Sequence, residues 1–289
     1  MPRSGAENRI RRAEMTQSAA QPDSPQPAAL RHARDGRVAR IEFRDPLRRN
    51  ALDAGALTAL VEAISQTAAD PCCDLLVLSG EGPAFCAGFD LAGCAEEPRR
   101  VETLLSLLSD AVAALRALDI PVVARVQGAA LAGGCALLTG CDFVVAARDA
   151  QIGYPVHRIG ISPAVSVPSL LSLMGPAARA LMVSNELLDG STALARGLAT
   201  HCVEAASLDA EVDALVARLL SKGPEAMRAT KRWIREIESR MPGDLGTTPP
   251  RDRASAQAAR DASIALAGGE EFATMLRAFW ASRTQREAR

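Results

Sequence analysis

The sequence is short of several things, and each shortage closes off a class of function. Its seven cysteines (Cys72, Cys73, Cys86, Cys94, Cys135, Cys141 and Cys202) are odd in number and contain no C-x-x-C pair. Neither a disulfide framework nor a zinc site is therefore expected, no metal is assigned, and the thiols read as reduced packing residues of a cytoplasmic protein. The apolar stretch from Pro121 to Ala147 is interrupted by Arg125, Gln127, several glycines and Asp142, which excludes a membrane span of roughly 20 clean residues. No secretory apolar segment precedes it. Lysine and arginine total 33 against 34 acidic residues, without a basic block, so nucleic acid is not an expected partner. Tyr154 is the single tyrosine, histidines number three, and no glutamate occurs anywhere from Thr103 to Asn185.

What is present is enough apolar residue (48% of 289) for one sizeable core with a smaller helical region appended. Met1 to about Pro27 is rich in Ala, Ser, Gln, Pro and Arg without apolar periodicity, so residues 1–28 are expected to form a disordered tail. From Gly36 the alternation of Val38, Arg40 and Glu42 with Ala39, Ile41 and Phe43 predicts a strand closed by an Asp45-Pro46 turn. Asp53 then predicts the cap of a helix with Leu57, Leu60, Val61 and Ile64 on its apolar face. Leu75 to Leu78, Pro121 to Val126 and Asp142 to Ala146 read as strands buried on both faces. Helices are expected over Val101 to Leu118 and from near Gly133, so strands alternate with crossovers and the class is α/β. After about Arg179 the pattern turns helical, over Leu208 to Leu220, Pro224 to Ser239, Ala254 to Leu266 and Glu271 to Ser282, with a Pro/Gly-rich loop from Met241 to Arg251. The domain reading is a core over 29–200 and a helical oligomerisation region over 201–289.

Two segments have the composition of reactive loops. Ala84 to Leu91 follows a buried strand, and its small residues allow close approach of a ligand to the backbone. Gly128 to Leu137 also follows a strand and opens a helix, whose first N–H groups are free to meet a developing anion. Two backbone N–H groups converging on one carbonyl oxygen would stabilise a thioester enolate.

Four motifs together, Arg49-Asn50-Ala51-Leu52, Phe85 to Leu91, Gly128 to Asp142 and Gly153 to Pro163, resemble the enoyl-CoA hydratase/isomerase, or crotonase, family. The resemblance runs from about Ala29 to the C-terminus. It implies a spiral of repeated ββα units with a C-terminal helical trimerisation region, assembled as a homotrimer or a hexamer of two trimers. It also implies an acyl-CoA thioester as ligand, with coenzyme A bound only as part of the substrate. Oxyanion-hole N–H groups fall at Phe89 and Gly133, and Arg48, Ala51, Ala87, Asp90 and Leu91 lie near the coenzyme. Lys231 to Trp233 and Phe272 to Trp280 match the trimerisation elements, whose basic residues can reach coenzyme phosphates.

The departures are as informative. The family's two acid/base glutamates align with Ala136 and Val156, and the aspartates of that region (Asp110, Asp119, Asp142, Asp149) stand at neither position. General acid and base groups contribute roughly 10² to 10⁴ each in rate, so ordinary hydration and isomerisation lose their catalysts. His157, one residue on, is the nearest group able to exchange a proton near neutral pH, although neighbouring loop residues usually point apart. Tyr154 reads as packing, Asp90 as a turn cap or coenzyme-orienting group, and Cys86 and Cys135 as core residues without an activating base. His32 and His201 have no partner that suggests catalysis. Three readings stay open: an enolate-stabilising enzyme with an unassigned proton donor, a decarboxylase of malonyl-type thioesters, and a non-catalytic acyl-CoA binder. A hydrolase or dehalogenase would need a carboxylate that Ser162, Pro163 and Ala164 do not supply.

Overall fold

Alternation of side chains along Val38–Phe43 buries Ile41 and Phe43 and leaves Arg40 and Glu42 half-buried, as the sequence pattern requires of a strand covered mainly on one side. In the computed structural model, which describes residues 29–92, 94, 97, 99–239, 270 and 274, this strand is the second of the chain. Strand β1 (Leu30–Asp35) precedes it and pairs with it antiparallel. β1 was not foreseen, because its half-exposed LRHARD sequence has no apolar alternation and its existence depends on the partner strand.

Helix α1 (Ala54–Ala69) starts where Asp53 accepts a hydrogen bond from Ala56 N–H at 2.8 Å, and buries Leu57, Leu60 and Ile64. Strand β3 (Leu75–Gly80) follows, then α2 (Arg99–Ala117), β4 (Val122–Val126), β5 (Ala129–Leu131), α3 (Gly133–Leu138), β6 (Phe143–Ala147) and β7 (Gln151–Gly153). The later elements are α4 (Val167–Met174), α5 (Ala177–Ser184), β8 (Leu187–Leu188), α6 (Gly190–Ala195), β9 (His201–Val203), α7 (Leu208–Leu220) and α8 (Pro224–Ser239). The main sheet runs β1-β2-β3-β4-β6-β9, parallel after the first pair, and β5-β7-β8 form a small second sheet. Each central repeat thus sends one strand to the large sheet and one short strand to the small sheet before its helix.

The main sheet is covered on both faces, which explains its uninterrupted apolar runs. Leu75 and Val77 of β3 face α7, with Val123, Val145 and Ala147, against Leu208, Val212, Leu215 and Val216. Leu76 and Leu78 face the opposite way, into the larger core with α1, α2 and α3. Each such side chain contributes about 1.5–3 kcal/mol on burial.

Residues after Arg179 are less purely helical than expected, since β8 and β9 interrupt the helices. β9 pairs with β6 and α7 packs on the sheet, so the stretch just past residue 200 belongs to the layered core. The 1–28 tail, the 241–251 loop and the helices expected at 254–266 and 271–282, with Phe272 to Trp280, lie outside the described residues apart from single helical positions at Glu270 and Thr274. No helix among the described residues is long and apolar enough to cross a membrane.

Candidate active site

The two loops singled out in the sequence are knitted together by backbone hydrogen bonds. Cys86 N–H donates to Ala129 O at 2.9 Å and Leu131 N–H to Cys86 O at 3.0 Å, which extends the small sheet by one parallel bridge. On its other side the loop meets the Arg49 to Leu52 segment: Ala87 N–H donates to Arg49 O (3.0 Å), Leu52 N–H to Gly88 O (2.7 Å) and Asp90 N–H to Leu52 O (2.9 Å). Parallel pairing of this kind engages the groups flanking Phe89 and turns its own N–H away from Leu52. Neither Phe89 N–H nor Gly133 N–H, the first of α3, donates a backbone hydrogen bond among the described residues. The loops touch directly, for a Cβ placed on Gly133 would lie 3.3 Å from the Phe89 ring, and one on Gly134 would run into the Cys86 carbonyl. Glycine at 134 is therefore a requirement of close approach.

Both N–H groups belong to residues lining one cleft, which encloses ≈ 710 Å³ of free space partly open to solvent. Its walls are Ala87, Phe89 and Leu91 from the first loop, Leu105 and Leu108 from α2, Leu131 to Gly133 and Ala136 from the second loop and α3, and Tyr154 to Val156 with Ile159, Ile161 to Pro163, Val165 and Ser166 beyond. Ala136 and Val156, the two aligned glutamate positions, both face this space and are both buried. Among the lining residues there is no carboxylate, imidazole, ammonium, guanidinium or thiol. The polar side chains are Tyr154, Ser162 and Ser166. The Tyr154 hydroxyl is buried near Ser166 and Cys135 without a well-formed hydrogen bond to any described residue, and burial, with Cys135 close by, raises its pKa well above the usual phenol value. It is a poor acid at neutral pH.

His157 does not line the cleft. It sits exposed on a 3-10 turn (His157–Ile159), with Nδ1 3.3 Å from Asn185 Oδ1. Val156 takes the inward position and the next side chain points out, so the structure gives no support to His157 as the acid/base group. Arg48 is held by Asp45 (2.5 Å), Asp90 (2.6 Å) and Asp53 (3.7 Å). Asp90 also accepts from Ala92 N–H at 3.0 Å, which makes it a turn cap and an arginine partner beside Phe89. Ala51 lies on the backbone turn closed onto Arg48 O, and Leu91 stands half-exposed at the cleft mouth. Cys86 and Cys135 are buried behind the loops and do not line the cleft. Lys231 and Arg232 pair with Asp142 (2.7 Å) and Asp119 (3.2 Å) of their own chain. No cluster of potential metal ligands occurs among the described residues.

Sequence reasoning passed over Asn50 as an individual residue. Its backbone is left-handed (φ 58°), its amide donates to Ala84 O (2.8 Å), Glu81 O (3.0 Å) and Phe85 O (3.2 Å), and it accepts from Asp45 N–H (2.8 Å). Asn50 therefore pins the 49–52 turn beneath the Phe89 loop. A buried asparagine inside a quoted motif was the available signal.

A six-strand parallel-rich sheet, a second small sheet and two touching loops that line an apolar cleft define a crotonase-type protein. Residues 33–242 match the family model described as enoyl-CoA hydratase/isomerase, and the chain belongs to that family. It is 32% identical over 207 residues to the crotonyl-CoA hydratase of Syntrophomonas wolfei, covering 70% of this chain and 80% of that protein. It is 31% identical over 208 residues to the 2,3-dehydroadipyl-CoA hydratase of Escherichia coli, covering 71% and 81%. Among solved structures, the enoyl-CoA hydratase of Mycobacterium smegmatis superposes with a TM-score of 0.78 at 30% identity, covering 89% and 97%.

Proposed function

We propose that this protein binds an acyl-CoA thioester with the carbonyl oxygen between Phe89 N–H and Gly133 N–H and the acyl group in the apolar cleft, and that it stabilises the thioester enolate there. The observation that carries this reading is the pair of N–H groups, free of backbone acceptors, on touching loops that line one apolar cleft. A missing donor of this kind costs about 2.7–4 kcal/mol in a transition state. The names of the two relatives given above, both CoA-thioester hydratases, support the substrate class.

The apolar character of the lining favours chemistry that needs no carboxylate on the protein. Decarboxylation of a malonyl-type thioester forms the same enolate by losing CO₂, with the C–C electron pair moving into the enolate and no proton removed by a base. The same lining also supports a second reading, a non-catalytic acyl-CoA binder, because binding uses the N–H pair and apolar walls alone. Coenzyme A enters only as part of the ligand. The assembly proposed with this reading is a cytoplasmic homotrimer or hexamer, supported by the exposed apolar side chains Leu173, Val183, Leu187 and Leu194 on neighbouring later elements.

The deciding experiment incubates the protein with a panel of saturated, unsaturated and malonyl-type acyl-CoA thioesters in deuterium oxide and follows mass by chromatography. Deuterium at the α-carbon or loss of CO₂ establishes enolate chemistry. Saturable binding without any mass change establishes the binder, and absence of binding overturns the thioester site altogether.

A further inference from the structure

Ala132 stands at a backbone conformation that does not suit a residue with a side chain. Its φ of 50° and ψ of −110° lie near the first central position of a type II′ turn, where glycine dominates. Arg49 and Asn185 also have positive φ, but their ψ values of 39° and 21° place them in the ordinary left-handed region. The conformation at 132 is held from both sides, by Ala132 N–H donating to Gly153 O (2.8 Å) and by Ala132 O accepting from Ala136 N–H (2.9 Å). Strain of this kind persists only where surrounding contacts over-determine it.

The position of the methyl group gives that strain a meaning. Phe89 N–H and Gly133 N–H belong to the peptide bonds that follow Gly88 and Ala132. These two residues abut: a Cβ built on Gly88 would lie 3.1 Å from the Ala132 Cβ. Ala132 also lines the cleft. Ala132 thus carries the one side chain at the junction of the two peptides whose N–H groups would meet a thioester carbonyl, on the lining of the cleft that would receive the acyl group.

We infer that Ala132 is a specificity-determining residue that restricts the site to acyl groups unbranched at the α-carbon. The inference rests on the acyl-CoA reading above and deepens it by naming a substrate class. A methyl branch would compete with the Ala132 methyl for the same space, and one misplaced methyl in a close-fitting pocket is worth about tenfold or more in discrimination.

The test measures dissociation constants of butyryl-CoA, isobutyryl-CoA and free coenzyme A for the wild type and for Ala132→Gly by calorimetry, alongside thermal unfolding. The wild type is expected to prefer butyryl-CoA by about tenfold. In Ala132→Gly the preference is expected to fall below about threefold, with Tm rising by about 2–4 °C as the strain is relieved. Equal binding of the two thioesters by the wild type overturns the inference without any variant, and so does an unchanged ratio in Ala132→Gly. If neither thioester binds better than free coenzyme A, the acyl-CoA reading itself fails, and that result is distinct from a lost or unchanged ratio.

Discussion

At the scale of single residues, burial decides which groups near the cleft can take part in chemistry. Cys86 and Cys135 sit behind the two loops, and loss of solvation pushes each thiol up to about 12. Cys141 is raised for the same reason. A thiol at neutral pH in such a place is neither a nucleophile nor a base. Linkage follows from the sign of the shift: the folded thiols keep protons that the unfolded chain releases above about pH 9, so their contribution is complete below that pH and stability falls as pH rises from 9 towards 12. The expected slope is about 1.4 kcal/mol per buried thiol per pH unit. Denaturant unfolding at pH 8 to 10.5 should show this loss, and Cys135→Ala should make it shallower. An alkaline slope identical in that variant would mean that the thiol is not sequestered.

Among the elements, α8 is attached in a different way from the rest. Ala229 is its one fully buried apolar residue among those described. The helix is held to the body by Arg228 with Asp74 (2.9 Å), Lys231 with Asp142 (2.7 Å), Arg232 and Arg235 with Asp119 (3.2 and 2.8 Å), and Glu238 with Arg116 (2.6 Å). The pairs of Arg232, Arg235 and Glu238 are partly exposed, and such pairs contribute roughly 0–1 kcal/mol each and are screened by salt, with those of Arg228 and Lys231 more sheltered, whereas α1 is anchored by Leu57, Leu60 and Ile64. Hydrogen exchange in 1 M NaCl should therefore accelerate across 224–238 and leave α1 unchanged, and Asp119→Asn should reproduce part of the effect at low salt. Equal protection of the two helices under both conditions would refute this account. The same contrast explains what was legible in advance. Helices with a regular apolar stripe are found where expected, α2 and α7 within about two residues of their bounds and α1 at its Asp53 cap, and α8 is found through its spacing although apolar packing contributes little to holding it. β1, β8 and β9 carry two to six residues without a pattern of their own, and only pairing with β2, β7 and β6 makes them strands.

At the scale of the whole molecule, folding brings residues from both reactive loops, α2, α3 and the 154–166 segment to one cleft and leaves its lining without an ionisable acid or base below the phenol range. Since Ala136 and Val156 both face the space, the double substitution Ala136→Glu, Val156→Glu should place carboxylates where the family resemblance puts them. Hydration of crotonyl-CoA is then expected to rise by at least about 10² over the wild type, together with a lowered Tm, because charges buried in an apolar site are costly. The readout is loss of enoyl absorbance beside thermal unfolding. A folded double variant that binds crotonyl-CoA yet gains no hydration would show that the cleft differs from a hydratase site by more than its two carboxylates.

The sequence by itself determined the family, through four motifs in order, and the lack of glutamate from Thr103 to Asn185, since residue identity and spacing are properties of the chain. It also determined the class of secondary structure wherever apolar periodicity was strong. Only the tertiary structure decided that Val156 faces the cleft while His157 turns out to Asn185, that Phe89 and Gly133 carry N–H groups without a backbone acceptor among the described residues, and that Ala132 holds a strained turn next to Gly133. Each of those depends on the direction of one bond, and bond directions are set by hydrogen bonds from segments distant along the chain, such as Asp90 with Leu52, Leu131 with Cys86 and Ala132 with Gly153.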